Sequence, residues 1–177
     1  MTTHPDCQTV TELVDGARVV VRRLNADDYD AVVRLATDLS AEERYMRFFT
    51  VHPAYIGEWA LSLTAPAKDV VALGCFECGD LIGVANYAQV SSAGCAEIAV
   101  LVAHEQHDRG IGTALLHALA DIAMDAGQHC FVAEVLFENY AMRKVIRDAG
   151  WPVTQHRDGS VVTIKVNLDD IDDTAKS

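Results

Sequence analysis

The sequence predicts a single α/β domain built on a mixed sheet. Three observations carry that expectation. Residues 25–63 are patterned as helices, with capping residues ahead of amphipathic runs. Residues 70–102 read as an antiparallel meander of β-branched runs joined by turn signals. From residue 95 onward the pattern alternates strand, helix, strand, helix, strand, which brings a parallel pairing into the same sheet. The junction of the first such unit holds Arg109-Gly110-Ile111-Gly112-Thr113-Ala114-Leu115-Leu116. A glycine loop between an apolar strand and a helix aims backbone N–H groups and a positive helix end at one small volume, which suits a diphosphate.

In chain order, residues 1–15 read as a flexible lead-in and 16–168 as one domain, with 169–177 an acidic tail. Residues 17–23 form the first strand. Asn25 or Asp27 can cap a helix running to Leu39, and Ser40-Ala41-Glu42-Glu43 is a capping-box pattern that starts a second. Pro53 can open a third helix ending near Leu63. Strands 70–76 and 81–90 meet at Cys78-Gly79-Asp80, a hairpin signal. Ser91-Ser92-Ala93-Gly94 is a turn before strand 95–102. In helix 111–126, Leu115, Leu119 and Ile122 recur at helical spacing and Gly127 can close it. Strand 128–137, a helix from Tyr140 closed by Gly150, and strand 160–168 complete the domain.

Composition narrows the function. Half of the 177 residues are hydrophobic and 23% are charged, which is ordinary globular composition. No apolar run approaches membrane-spanning length and the N-terminus has no signal-peptide pattern, so the chain reads as soluble and cytoplasmic, with no membrane partner. A net charge of −12 makes nucleic acid a poor partner and favours cationic ones. Five scattered cysteines do not suggest a disulfide framework, and Cys75-Phe76-Glu77-Cys78 lacks the second ligand pair that structural zinc needs. His52, His104, His117, His129 and His156 form no spaced cluster, so no metal is expected.

Two familiar diphosphate loops are excluded. Leu115 stands where a dinucleotide fingerprint needs a small residue, and no Gly-Lys-Ser/Thr follows as a P-loop requires. His107-Asp108-Arg109-Gly110-Ile111-Gly112 instead resembles the Gln/Arg-x-x-Gly-x-Gly/Ala loop of the GCN5-related N-acetyltransferases, the GNAT family. Asn139 through Gly150-Trp151 keeps the Asn, Gly and terminal aromatic of that family's second hallmark. The segments 39–49, Ala96-Glu97-Ile98-Ala99 and 138–144 are similar to the bacterial Pat-type protein lysine acetyltransferases. The resemblance covers residues 17–168.

It implies a GNAT-like acyl-CoA N-acyltransferase fold, with a largely antiparallel sheet splayed between the family's fourth and fifth strands, here 95–102 and 128–137. It implies acetyl-CoA as co-substrate and a primary amine as acceptor. A protein lysine comes first, with acyl-CoA synthetases as the branch's typical substrates. The alternatives are a small amine, or a weakly catalytic acyl-CoA-binding sensor; a monomer or homodimer is expected. The N–H groups of Arg109, Gly110, Ile111, Gly112 and Thr113 would bond the diphosphate, with Arg109 adding charge. The backbone of Val100, Leu101 and Val102 would pair with pantetheine.

His107 replaces the usual Gln or Arg of that loop, and Asp108 stands where the family often has Gly. Asn139 would cap its helix and bond the cofactor, and Arg143 could reach a phosphate. Glu97, the one acid in an apolar strand, matches the branch's base. Partial burial would raise its pKa toward useful values, because a lysine amine near 10.4 must lose a proton before it attacks. Ile146 occupies the usual position of the proton-donating Tyr, and a thiol of pKa about 8.5 can leave unaided.

Overall fold

The structure, a computed structural model, describes residues 8–50, 54–90 and 94–174. Among the described residues, eight strands form one sheet: β1 (Thr9–Glu12), β2 (Arg18–Arg23), β3 (Val70–Glu77), β4 (Asp80–Gln89), β5 (Cys95–Val102), β6 (Cys130–Leu136), β7 (Val153–Asp158) and β8 (Val161–Asn167). Their order is β1-β2-β3-β4-β5-β6-β8-β7. Every pairing is antiparallel except β5 with β6. The predicted mixed, mostly antiparallel sheet is therefore present, and the crossover through the long helix after β5 creates its one parallel step.

Six helices among the described residues accompany the sheet: α1 (Tyr29–Thr37), α2 (Ala41–Phe48), α3 (Ile56–Thr64), α4 (Ile111–Asp125), α5 (Tyr140–Asp148) and α6 (Asp169–Thr174). Alternation along β5 shows how the layers divide. Ala96 and Ile98 join the core beneath α4 and α5, whereas Leu101 joins the core beneath α1 and α3. Apolar Leu115, Leu116 and Leu119 of α4 are fully buried against the first face. Glycine permits that approach at its start, where a Cβ on Gly83 of β4 would lie 2.9 Å from Ile111. Asn25 caps a short 3-10 turn that leads into α1, and Ser40 with Glu43 forms the predicted capping box of α2.

Several readings need correction. Thr9–Glu12, taken as part of a loose lead-in, pairs with β2. Val153–Asp158 pairs with β8 although no strand was predicted there. Both are edge strands with largely exposed side chains, so neither carries the apolar alternation that marks a strand in sequence. The first six residues of the acidic tail form α6. Pro53 and the turn residues Ser91, Ser92 and Ala93 lie outside the described residues.

The cysteines also depart from expectation. Cys95 and Cys130 stand opposite each other in the parallel register and form a disulfide, with Cα atoms 4.6 Å apart. Their separation of 35 residues hides the pairing in sequence, because only the β5-α4-β6 crossover brings them together. Cys75 is a buried free thiol, which burial pushes up to about 11, and Cys78 is an exposed one.

Candidate active site

The site begins where the sheet comes apart. β5 and β6 pair at Cys95, Ala96 and Glu97 against Cys130, Phe131 and Val132, and there the pairing stops. Beyond Glu97, β5 continues along β4 alone to Val102, while β6 stays paired with β8 to Leu136. A cleft of about 460 Å³ lies at this divergence. Val100, Leu101 and Val102 line it from β5, Glu43, Met46 and Arg47 from α2, and the start of α4 and one side of α5 close it.

Gly110, Ile111, Gly112 and Thr113 all face the cleft. Gly110 is the N-cap of α4 at φ +83°, and no side chain among the described residues caps the helix. The other two helices bordering the cleft are capped, α2 by Ser40 and α5 by Asn139. The first-turn N–H groups of α4 thus lack a side-chain acceptor and carry the positive end of a fifteen-residue helix. Gly112 lets α5 come close, since a Cβ there would lie 2.9 Å from Val145. Asp108 adopts φ +62°, a left-handed conformation that glycine takes without cost. This gives a physical reason for the residue that the family resemblance expects at that position.

Not every predicted side chain reaches the cleft. Arg109 does not line it. Its Nε donates to Asp15 at 2.6 Å, its two terminal nitrogens donate to Glu77 at 2.9 and 2.8 Å, and it also donates to Gln106. These bonds, Glu77 first, raise its pKa and hold both carboxylates below their usual range. Its charge is spent on fastening the glycine loop to the β1–β2 turn and the end of β3. Arg143 is likewise turned away, donating to the Phe137 carbonyl at 3.1 Å with its guanidinium over that ring.

His107 and Asp108 do line the cleft. The His107 Nε2 lies 3.2 Å from the Val102 carbonyl oxygen. Asn139 caps α5 by accepting from the Met142 N–H, and its amide reaches the Met46 carbonyl of α2 at 3.5 Å.

One cation was missed. Lys144 lines the cleft, bonded to Asp148 at 2.6 Å and 3.8 Å from Asp108, and the Asp148 bond raises its pKa. The signal was available: Ala141, Lys144, Val145 and Asp148 all face the cleft, and their spacing is one helical stripe. Arg143 lies off that stripe. Ile146 is buried in the core, while Tyr140 is exposed and borders the cleft.

Glu97 sits at the last β5–β6 pair, at the apex of the divergence. It is exposed rather than partly buried, and it does not line the cleft, so the expectation of a desolvated carboxyl is corrected. Its near neighbour is Arg47. Burial draws the Arg47 guanidinium down to about 10, and the Glu97 carboxylate offsets part of that. The Arg47 Nε has no hydrogen-bond partner among the described residues, and the guanidinium lies over Phe48 and Trp59. The segment 44–49 therefore supplies both core packing and a cleft wall.

The histidines also need correction. His104 and His107, three residues apart, converge with Glu43 of α2, with one donor atom from each within 4.8 Å of the others.

Comparison with known proteins agrees with this architecture. The acetyltransferase (GNAT) family profile matches residues 29–151. The GNAT domain of S. lividans PAT is similar at 30% identity and a TM-score of 0.82, over 90% of this chain and 96% of that one. A cAMP-binding acyltransferase from Mycobacterium smegmatis is similar at 24% identity and a TM-score of 0.64, over 92% of this chain but 48% of its own. YncA, described as a putative acetyltransferase from Salmonella typhimurium with its cofactor acetyl-CoA, shares the fold at 19% identity and a TM-score of 0.66, over 85% and 94%. With its glycine loop at the mouth of a split parallel pair, this chain belongs to the GNAT family of acetyltransferases.

Proposed function

We propose that this protein is an acetyl-CoA-dependent N-acetyltransferase that acylates a protein lysine. The carrying observation is the split between β5 and β6, with the uncapped N-terminus of α4 at its mouth. The diphosphate fits there because Gly110, Ile111, Gly112 and Thr113 offer backbone N–H groups with no side-chain acceptor. Lys144 supplies the cationic side chain beside them, a role that Arg109 and Arg143 cannot fill from their present bonds. Val100, Leu101 and Val102 provide a strand edge free of β6 for the pantetheine arm, and a β5 N–H for the thioester oxygen.

In this reading Glu97 takes the proton from the incoming ammonium and passes it to solvent, to which it is open. The amine nitrogen then forms the amide bond as the carbon–sulfur bond breaks; its second proton passes to solvent, and the CoA thiolate leaves without a dedicated acid and picks up its proton from water. The acceptor enters past α2 and α5, where Glu42, Glu43 and Glu138 give the rim a negative character that draws a cation. The resemblance of segments 39–49, 96–99 and 138–144 to Pat-type protein lysine acetyltransferases supports a protein acceptor.

The test offers acetyl-CoA with acyl-CoA synthetases on one side and polyamines, amino acids and aminoglycosides on the other. Lysine acetylation read by mass supports the proposal. Turnover confined to small amines replaces the acceptor, and CoA binding without turnover on any of them leaves a sensor.

A related expectation concerns Asp108. Asp108→Gly relieves the left-handed strain and removes a carboxylate beside the diphosphate loop. Unfolding stability should rise by up to about 1 kcal/mol. CoA affinity should rise roughly two- to fivefold at low salt, with the gain shrinking as salt is added. Thermal denaturation and calorimetric titration at two salt concentrations check both.

A further inference from the structure

We propose that Glu43, His104 and His107 form a site for a divalent d-block cation, of which Zn²⁺ and Co²⁺ are the natural probes. The inference stands apart from the acyl-transfer reading. Among the described residues, the Glu43 Oε1 lies 2.8 Å from His104 Nδ1 and 3.7 Å from His107 Nε2, and the two rings are 5.6 Å apart at their centroids. All three donor atoms fall within 4.8 Å of one another, and side-chain shifts of roughly 1 Å bring them round one ion with bonds near 2.0–2.2 Å.

Two imidazoles and one carboxylate select zinc, cobalt, nickel or copper over magnesium or calcium, which take oxygen ligands. The carboxylate is set in place before an ion arrives. Its Oε2 accepts the Ser40 N–H at 2.9 Å in the α2 capping box, which leaves Oε1 turned toward the two histidines. His104 opens the short 3-10 turn after β5 and His107 directly follows that turn, so the rigid strand end positions both rings. His107 Nε2 also approaches the Val102 carbonyl, and a bound ion displaces that contact.

Three protein ligands leave coordination positions for water, so the ion exchanges. Because Glu43 and His107 line the cleft while His104 stands outside it, the ion ties α2 to the segment leading into the glycine loop.

The test is equilibrium binding of Zn²⁺ alone, with Co²⁺ absorption as the spectroscopic readout, on the full chain carrying Cys78→Ser. That substitution removes, among the described residues, the exposed free thiol as a competing ligand. One saturable equivalent is expected, with the intense d–d bands of a low-coordinate Co²⁺ site. His104→Ala, a change at an exposed ring, should weaken binding roughly tenfold or more. His129→Ala, at the separate His129–Asp169 pair, should leave it unchanged. Absence of saturable binding overturns the site, as does unaltered affinity in the His104→Ala/His107→Ala double variant. Neither result bears on acetyl transfer, which is assayed separately with chelator present.

Discussion

Glu97→Gln should lower kcat/KM for acetyl transfer by about 10²–10⁴, the usual contribution of a positioned general base. The loss should fall on kcat. Glu97 does not line the cleft, so the KM for acetyl-CoA should hardly change. The substitution keeps the side chain's shape at an exposed position, so folding is preserved. Its one electrostatic consequence is on Arg47, which loses the carboxylate that offsets its burial. With a pKa of about 10 before the change, Arg47 remains protonated at neutral pH. In steady-state kinetics on whichever acceptor the parent uses, a variant as active as the parent removes Glu97 from the chemistry. Loss shared equally with CoA affinity would instead assign it to the cleft's shape.

The second large effect belongs to the disulfide. Removing it as Cys95→Ala/Cys130→Ala should lower unfolding stability by about 3–4 kcal/mol, given the 35-residue separation that the bridge closes. Urea denaturation measures this, and a reductant should bring the parent to the variant's midpoint while leaving the variant unmoved. Thiol titration of the denatured parent should find two more thiols after reduction than before, those of the bridge. No rise on reduction would contradict the bridge. Its place matters for function, because it clamps β5 to β6 immediately before they diverge. The clamp fixes the apex of the cleft, so the double variant should also show a less sharply defined site at temperatures where it remains folded.

Much of the fold was legible because its signals are local. The capping box at Ser40 and Glu43, the helical stripe of α4 and the Asn139 cap are written in neighbouring residues. The glycine loop was legible for the same reason, since an apolar strand and an uncapped helix flank it directly. What escaped was set by distance or by exposure. Arg109 looked like a phosphate ligand until Asp15 and Glu77, far off in sequence, took its guanidinium. Cys95 with Cys130, and Glu43 with His104 and His107, meet only through tertiary register. β1 and β7 lacked apolar alternation because edge strands face water. Glu97 was found by its lone charge in an apolar strand, but its exposure depends on where β6 stops pairing, which no local pattern encodes.

In the proposed mechanism the split between β5 and β6 cradles the thioester, with α4 holding the diphosphate and Glu97 at the apex. A crystal structure with acetyl-CoA bound is the decisive measurement. Diphosphate oxygens are expected on the N–H groups at Gly110–Thr113, pantetheine along Val100–Val102, and the thioester carbonyl on the Glu97 side of the cleft. A cofactor bound away from the α4 N-terminus, or a thioester directed away from Glu97, would contradict it.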